Sequence, residues 1–186
     1  MKKQILLIGN ASTLSDTNFG KTIDSYDCVV RFNKFDLSNI YKKDYGEKIN
    51  IWIVNGYEYK NLPKSHKHNT NIEQIYISST TKNVNDIKKY LKMKEANKYY
   101  FFDKTYNEDV KIKINYPKKF NISLGLFSII HFIEQGYDVF ITNMNHTPTH
   151  YFENVNPKLG QNHNWKFEKD YIKNMVNTNI ISEIYP

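Results

Sequence analysis

The chain has 186 residues and a formal net charge of +7, from 26 basic and 19 acidic side chains. With 40% hydrophobic and 15% aromatic residues it is too rich in core material to be a disordered basic tail, and its length suits one domain. Its only cysteine, Cys28, excludes a disulfide within the chain. The longest apolar stretch, 124–133, is shorter than the ~18 residues needed to cross a bilayer.

Lysine carries almost all of the positive charge, because Arg31 is the only arginine among the 26 basic residues. Proteins that read nucleic acid usually rely on the bidentate guanidinium group of arginine. We therefore interpret the lysines as a solvated surface coat and predict no specific nucleic-acid partner. Arg31 itself is predicted to be a structural ion-pair partner of Asp24 or Asp27.

Short apolar runs alternate with helix-like stretches along the chain. Strands are predicted at 4–8, 26–32, 49–54, 74–78, 99–102 and 138–142. Helices are predicted at 85–98, 121–135 and 161–177, and loops at 60–71 and 105–119. This alternation predicts the α/β class, with a single Rossmann-like domain over 1–186 and a mostly parallel sheet flanked by helices.

Polar residues follow the first two predicted strands, at the edge where open parallel sheets bind ligands. Gly9, Asn10 and Ser12 follow the first strand, and Asn33 follows the second. The turn lacks the glycine patterns of dinucleotide-binding and Walker loops. Its asparagine and serine could hydrogen-bond a phosphate or a ribose, and they could equally cap a helix.

A further candidate site lies at the start of the predicted helix 121–135. Ser123 and Gly125 open this helix, where free backbone N–H groups and the helix dipole favour an anion. The serine adds a hydroxyl, and the glycine allows close approach to the backbone. A simple serine cap explains the same residues equally well.

Four of the six histidines fall within 33 residues: His131, His146, His150 and His163. Their spacing does not match a metal site, because the chain has no His-x-x-x-His pair on one helix, no cysteine pair and no Asp-x-Asp. We therefore predict no metal ligands. His131 lies within the apolar helix and is interpreted as a core histidine.

Four blocks, in order along the chain, resemble the large, small, third and very small sialyl motifs of glycosyltransferase family 29, the sialyltransferases. Together they span most of the chain. The large motif is resembled by 8–14, Gly20, Ile23, Asp24, Asp27 and 30–33, and the small motif by 123–125 with the following helix and strand. The third motif is resembled by 150–153, and the very small motif by His163, followed after four residues by Glu168. Two positions depart from the usual pattern, since Leu124 replaces a hydroxyl residue and Asn143 replaces a common glycine.

The resemblance implies a variant glycosyltransferase A fold and an inverting, metal-independent reaction. Sialic acid, or a related keto-sugar such as Kdo, would move from a CMP-activated donor to a hydroxyl of a glycan or glycolipid. No cofactor is implied, because the CMP-sugar is itself a substrate.

The resemblance also implies roles for individual residues. The residue matching His163 is the general base, and His150 lies near the donor phosphate as a second catalytic group. Glu168 is expected to orient the local structure. The expected donor-binding residues are Gly9, Asn10, Ser12, Asn33, Ser123, Gly125 and Tyr151.

A non-catalytic α/β protein that binds nucleotides or nucleic acid is the alternative, motivated by the positive charge. A dinucleotide-dependent oxidoreductase or a methyltransferase is disfavoured, because the glycine fingerprint is missing. We expect a cytoplasmic protein, since the apolar run 5–8 is too short for a secretory signal. The lysine coat is compatible with peripheral association at the inner face of a membrane, and nothing in the sequence indicates an oligomeric state.

Overall fold

The computed structural model describes residues 2–61, 71–78, 99–102, 104–144, 150–152 and 162–186. These residues form seven strands: β1 Gln4–Ile8, β2 Cys28–Phe32, β3 Ile51–Asn55, β4 Gln74–Ser78, β5 Tyr99–Phe102, β6 Asp138–Thr142 and β7 Ser182–Glu183. They also form six helices: α1 Gly20–Asp24, α2 Asn39–Tyr45, α3 Gly56–Asn61, α4 Lys104–Lys113, α5 Leu124–Glu134 and α6 Trp165–Asn177. None of these helices is both long and apolar enough to cross a membrane.

The strands form one sheet in the order β5-β4-β3-β2-β1-β6-β7, and all neighbouring strands run parallel. The chain builds outward from β1 to β5 and then crosses back to place β6 on the other side of β1. The carboxyl ends of β1 and β6 therefore form the switch point of the sheet, where ligands bind in open α/β folds.

The central strand β1 is buried on both faces because helices cover both sides of the sheet. Ile5 and Leu7 belong to the core on one face, together with the apolar helix α5. Leu6 and Ile8 belong to the core on the other face, together with Ile23 of α1. This alternation follows from the two-residue period of a strand.

The predicted fold class is confirmed, and four of the six predicted strands have the predicted bounds. The second and third strands begin two residues later than expected, at Cys28 and Ile51. His131 is buried in α5, and its Nδ1 lies 2.9 Å from the Tyr106 hydroxyl, as expected of a satisfied core histidine. The predicted helix 85–98 and most of the predicted loop 60–71 lie outside the described residues.

The predicted loop at 105–119 is wrong, because α4 occupies Lys104–Lys113. Only Val110 and the stem of Lys111 are buried in this helix, so its apolar stripe is narrow. Apart from Tyr106 and the exposed Ile112, the other positions carry charged and polar residues, which hide the helical period. Packing against α5, through Tyr106 and His131, compensates for the weak amphipathic pattern.

Arg31 is a scaffold residue in the middle of the fold, only 2% exposed. Its guanidinium group donates hydrogen bonds to the carbonyls of Tyr45 (2.7 Å) and Lys48 (3.0 Å). Burial lowers its pKa, and the negative charge of Asp24 partly opposes this. The expected link to Asp24 is therefore indirect, because that carboxylate accepts hydrogen bonds from the Glu47 and Lys48 amides.

Candidate active site

The ends of β1 and β6 approach each other so closely that only glycine fits at position 9. The Gly9 amide donates to the Thr142 carbonyl at 3.0 Å. A Cβ atom on Gly9 would lie 2.2 Å from the Asn143 carbonyl oxygen and 3.0 Å from the Met144 Cα. Gly9 is therefore needed for the backbone contact that forms the floor of the switch point.

Asn143 ties the loop after β1 to the end of β6. Its Nδ2 donates to the carbonyls of Gly9, at 2.9 Å, and Ala11, and its Oδ1 accepts from the Thr13 hydroxyl. Its φ of 60° lies in the left-handed region, which glycine and asparagine tolerate best. This conformation explains why asparagine can stand where the resembled family commonly has glycine.

The two asparagines after β1 and β2 come together as predicted. Asn10 Nδ2 donates to the carbonyls of Phe32 (3.1 Å) and Lys34 (3.0 Å), on either side of Asn33. Asn33 Oδ1 accepts from the Asn55 amide at 3.0 Å. Both side chains therefore hold neighbouring strand ends together, and the Oδ1 of Asn10 and the Nδ2 of Asn33 have no hydrogen-bond partner among the described residues.

His150 and Tyr151 lie beside the loop after β1. His150 forms an isolated antiparallel bridge with Ala11, and the Tyr151 amide donates to the Asn10 carbonyl at 3.1 Å. The Tyr151 hydroxyl donates to the Asp36 carbonyl at 2.8 Å and accepts from its amide at 2.9 Å. Burial, with 8% exposure, raises the pKa of Tyr151 to about 12. The expected contact of this hydroxyl with the donor is therefore disfavoured, because Asp36 already uses it.

Ser123 caps α5, as the alternative interpretation of this residue expects. Its Oγ accepts from the Leu126 amide at 3.2 Å and donates to Glu168 Oε2. Its own amide donates to Glu168 Oε1 at 2.9 Å. The Ser123 hydroxyl is therefore engaged in both directions, which disfavours its predicted contact with the nucleotide. The amides of Leu124 and Gly125 have no acceptor within the helix and remain as the anion-binding groups at its start.

Gly125 differs from Gly9 because the fold leaves room for a side chain at this position. A Cβ atom on Gly125 would lie 3.4 Å from the Met144 Sδ and 3.7 Å from the Ser123 Oγ, both ordinary contact distances. Met144 therefore lies between the two glycines. It joins the switch point of the sheet to the start of α5.

The His163 ring is oriented by a contact between its Nδ1 atom and the backbone. Its Nδ1 lies 2.7 Å from the Asn121 carbonyl oxygen. Because a carbonyl only accepts, Nδ1 carries a proton, and in the neutral form of the ring Nε2 then carries the lone pair. The Asn121 amide donates to the Asn162 carbonyl at 2.9 Å, and this hydrogen bond holds the residues before α5 next to those before α6. This arrangement is suited to a general base.

Tyr116 is a site residue that the sequence analysis missed. Its hydroxyl lies 2.7 Å from Glu168 Oε1 and 2.9 Å from the Asn121 carbonyl, and it accepts from the Asn164 amide at 3.1 Å. Burial raises its pKa, and the neighbouring Glu168 raises it further. Tyr116 belongs to none of the four motifs, and its only signal is an aromatic residue beside Pro117 in a mostly polar stretch.

The predicted residues fall into two groups that Met144 connects. The first group surrounds the ends of β1 and β2, and the second surrounds the starts of α5 and α6. Ser12, half-buried in the loop after β1, accepts through its carbonyl from the Ser15 amide. The His150 ring packs beside Phe152 and the His163 ring beside Trp165, and the described residues contain no group of three or more potential metal ligands.

Two cavities lie away from these residues. One, of about 550 Å³, is lined by residues that include Asp24, Glu47 and Asn50, near the amino ends of the strands. The other, of about 330 Å³, is lined by Tyr76, Tyr100 and other aromatic residues. We place the candidate site at the switch point instead, because ligands of parallel sheets bind at the carboxyl ends of strands.

The model of the family described as glycosyltransferase family 29 (sialyltransferase) matches residues 3–132. The chain belongs to glycosyltransferase family 29. Sialyltransferase-like protein 2 from Arabidopsis thaliana is 36% identical over 75 residues, which is 40% of this chain. The family 29 chain spans only 17% of the length of that relative. The family match covers the large motif and the start of α5, and it ends before His150 and His163.

Solved sialyltransferases share the fold of this family 29 chain. A mammalian sialyltransferase in complex with Gal-beta-1-3GalNAc-ortho-nitrophenol matches with a TM-score of 0.75 and 17% identity, covering 98% of this chain and 69% of that one. An alpha-2,3-sialyltransferase from Campylobacter jejuni matches with a TM-score of 0.61 and 17% identity, covering 98% and 74%. At this level of identity the likeness establishes the fold.

The two glycines predict opposite responses to alanine. Gly9→Ala should lower the free energy of unfolding by about 3 kcal/mol, because its Cβ would overlap the Asn143 backbone. Gly125→Ala should leave stability unchanged or raise it by about 0.5–1 kcal/mol, because alanine is the better helix former and has room. Urea unfolding of both variants measures the difference, and equal losses would contradict the contrast.

Two substitutions of Asn143 should separate the stability that comes from its backbone conformation from the stability that comes from its side-chain hydrogen bonds. Asn143→Gly should destabilise the protein through the loss of three hydrogen bonds, and Asn143→Ala should cost about 1 kcal/mol more, because alanine resists a positive φ. Asn179, exposed with a φ of 56°, is the matched control, and Asn179→Gly should not destabilise. Urea unfolding compares the variants, and a glycine variant at 143 as stable as the wild type would refute the role of these bonds.

Proposed function

We propose that this family 29 protein is an inverting glycosyltransferase that moves sialic acid, or a related keto-sugar such as Kdo, from a CMP-activated donor to a hydroxyl of a glycan or glycolipid. The observation that carries the proposal is the geometry of His163, whose Nδ1 is bound and whose Nε2 is an acceptor. The hydrogen-bonded Glu168 connects this histidine segment to the start of α5.

In the proposed reaction, His163 Nε2 accepts the proton of the acceptor hydroxyl as that oxygen attacks the anomeric carbon. The new glycosidic bond forms on the face opposite the leaving group, so the configuration inverts. The bond between the anomeric carbon and the phosphate oxygen breaks, and its electron pair leaves with CMP. A neutral imidazole suits this step near neutral pH.

The start of α5 supports the proposal as a place for the leaving phosphate. The Leu124 and Gly125 amides are available there because the first N–H groups of a helix have no acceptor within it. The Ser123 amide and hydroxyl, in contrast, donate to Glu168. The helix dipole adds a partial positive charge at the same point. Glu168 is thus a positioning residue, and its own charge is compensated by hydrogen bonds from Ser123 and Tyr116.

We assign the nucleotide to the carboxyl ends of β1 and β2, where the Asn10 Oδ1 and the Asn33 Nδ2 have no hydrogen-bond partner among the described residues. His150, beside Ala11, would contact the donor phosphate. Because the leaving group is a nucleoside monophosphate, hydrogen bonds and one cationic side chain are a sufficient charge balance, and we propose that the reaction needs no metal ion.

The proposal predicts that His163 and Gly125 fail in different ways. His163→Ala should lower kcat by about 10²–10⁴-fold and leave the Kd for CMP within about twofold, because the base does not hold the nucleotide. Gly125→Ala should raise the Kd for CMP about tenfold, because a Cβ at this position would hinder the close approach of the phosphate to the backbone amides.

Calorimetry with CMP and transfer assays from CMP-sialic acid to Gal-beta-1-3GalNAc, the disaccharide bound to the mammalian relative, measure both effects. Full activity in the His163 variant would exclude it as the base. Binding of CMP by the wild-type chain without transfer to any glycan would instead favour the non-catalytic nucleotide-binding alternative.

Metal independence predicts that EDTA leaves the transfer rate unchanged. The measurement compares initial rates before and after exhaustive chelation, with Mg²⁺ or Mn²⁺ added back to a second sample. A rate that falls on chelation and returns with either ion would contradict this part of the proposal.

A further inference from the structure

An open cavity of about 330 Å³ lies at the β5 edge of the sheet, away from the candidate active site. Its volume is at the lower end of the ~300–1,000 Å³ typical of small-molecule sites. β4 lies three strands from β1, about 14 Å at the ~4.7–4.9 Å spacing of neighbouring strands, so one small ligand cannot occupy both places. The side chains that line the cavity come from β4, β5, α4 and α5, and they include Tyr76, Tyr100, Phe102, Tyr106, His131 and Gln135.

Tyr100 is the most exposed of the aromatic residues that line this cavity, at 41%. It lies on the edge strand β5, opposite Tyr76 of β4. Its ring stacks on that of Tyr76, with the centroids 4.8 Å apart and the planes at 18°. Among the described residues this is the only ring that contacts Tyr100. The Tyr100 ring is therefore held in place by one neighbour and keeps accessible aromatic surface at the cavity.

The hydrogen bonds of His131 leave its Nε2 atom as an acceptor. The Tyr106 hydroxyl has one proton, which it donates to the Glu134 carboxylate at 2.8 Å. The His131 Nδ1 atom, 2.9 Å from the same hydroxyl oxygen, must therefore be the donor in that contact. Burial lowers the pKa of His131, although the charge of Glu134 opposes this in part, so the ring is neutral at pH 7. Its Nε2 then carries the lone pair and has no hydrogen-bond partner among the described residues.

The cavity is polar without being charged. Gln135, the exposed C-cap residue of α5, has a side-chain amide with no hydrogen-bond partner among the described residues. None of the described residues that line the cavity is a lysine, arginine, aspartate or glutamate. A phosphate or carboxylate ligand would meet no opposite charge here, and a purely apolar ligand would leave the His131 Nε2 unpaired. The lining therefore suits a neutral ligand with an apolar face and hydroxyl groups at its edge.

We propose that this cavity binds a neutral pyranose residue of a glycan, with the C–H face of the sugar ring on Tyr100 and its hydroxyls bonded to His131 Nε2 and the Gln135 amide. A pyranose presents C–H bonds on the faces of its ring and hydroxyls around the rim. The tyrosine supplies a rigid apolar surface for the face. A sugar hydroxyl can donate to the imidazole nitrogen, and another can accept from the amide. This site does not depend on the proposed reaction, because it uses neither His163 nor the donor.

The first test titrates the 186-residue chain with methyl β-galactopyranoside, a neutral sugar, and measures binding by saturation-transfer NMR. Tyr100→Ala should raise the Kd about tenfold, and Tyr100→Phe should change it less than about twofold, because the aromatic face remains. Gln135→Ala, at an exposed position, should raise the Kd about threefold through the loss of one hydrogen bond. Tyr185→Ala removes a tyrosine that is 66% exposed and outside the cavity, so this matched control should leave the Kd unchanged.

Two companion measurements locate the sugar and identify its class. His163→Ala should leave the Kd for the galactoside unchanged, because the cavity lies away from that residue. Cytidine and uridine, which are neutral and can also stack on an aromatic ring, should not displace the galactoside. The saturation transfer should be strongest for the C–H protons on one face of the sugar, since that face lies on Tyr100.

Four results would overturn the inference. They are the absence of saturable galactoside binding at millimolar concentrations, an unchanged Kd in Tyr100→Ala, loss of binding in His163→Ala, which would assign the sugar to the candidate active site, and displacement by a nucleoside, which would assign the cavity to a base. Transfer activity enters none of them. A chain that binds the galactoside through Tyr100 but transfers no sugar would support this site and refute the proposed reaction.

Discussion

The geometry of the candidate site depends on one buried carboxylate, that of Glu168. At 0% exposure it would be costly to bury alone, and the Ser123 amide, the Ser123 hydroxyl and the Tyr116 hydroxyl compensate for the lost water. These bonds fasten the start of α6 to the start of α5. The Tyr116 oxygen also lies 2.9 Å from the Asn121 carbonyl, which is its alternative acceptor and which contacts His163 Nδ1. The free amides at the start of α5 and the proposed base His163 are therefore positioned by connected polar contacts.

The net charge of +7 contributes little to this network. Arg31, the only arginine, is buried and bonded to the backbone carbonyls of Tyr45 and Lys48, so it stabilises the scaffold beside β2. The polar groups at the candidate site are asparagine amides, backbone N–H groups and histidine rings. The lysine coat acts at longer range, where it favours the approach of an anionic donor or glycan.

The strands could be predicted because a strand that is buried on both faces has a short, mostly apolar sequence. Residues 4–8 and 138–142 are examples. The convergence of Asn10 and Asn33 followed from parallel pairing alone. The use of the Tyr151 hydroxyl by Asp36, 115 residues away in sequence, could not be predicted, because it is a tertiary contact without a local pattern. Tyr116 and α4 were not predicted for a related reason. The surrounding charged residues obscure the hydrophobic pattern of the few residues that pack against the core.

Asn143 shows how a departure from the family pattern redistributes the chemistry of the site. A glycine at this position would leave its φ of 60° unstrained and the space above Gly9 open. The asparagine keeps that backbone conformation, but its buried amide fills the space and donates hydrogen bonds to the loop after β1. The floor of the switch point is therefore closed to a ligand on that side. The polar groups that remain come from Asn10, Asn33 and the start of α5, so the proposed phosphate recognition would depend on this helix and on the hydrogen bonds of Glu168 that hold it.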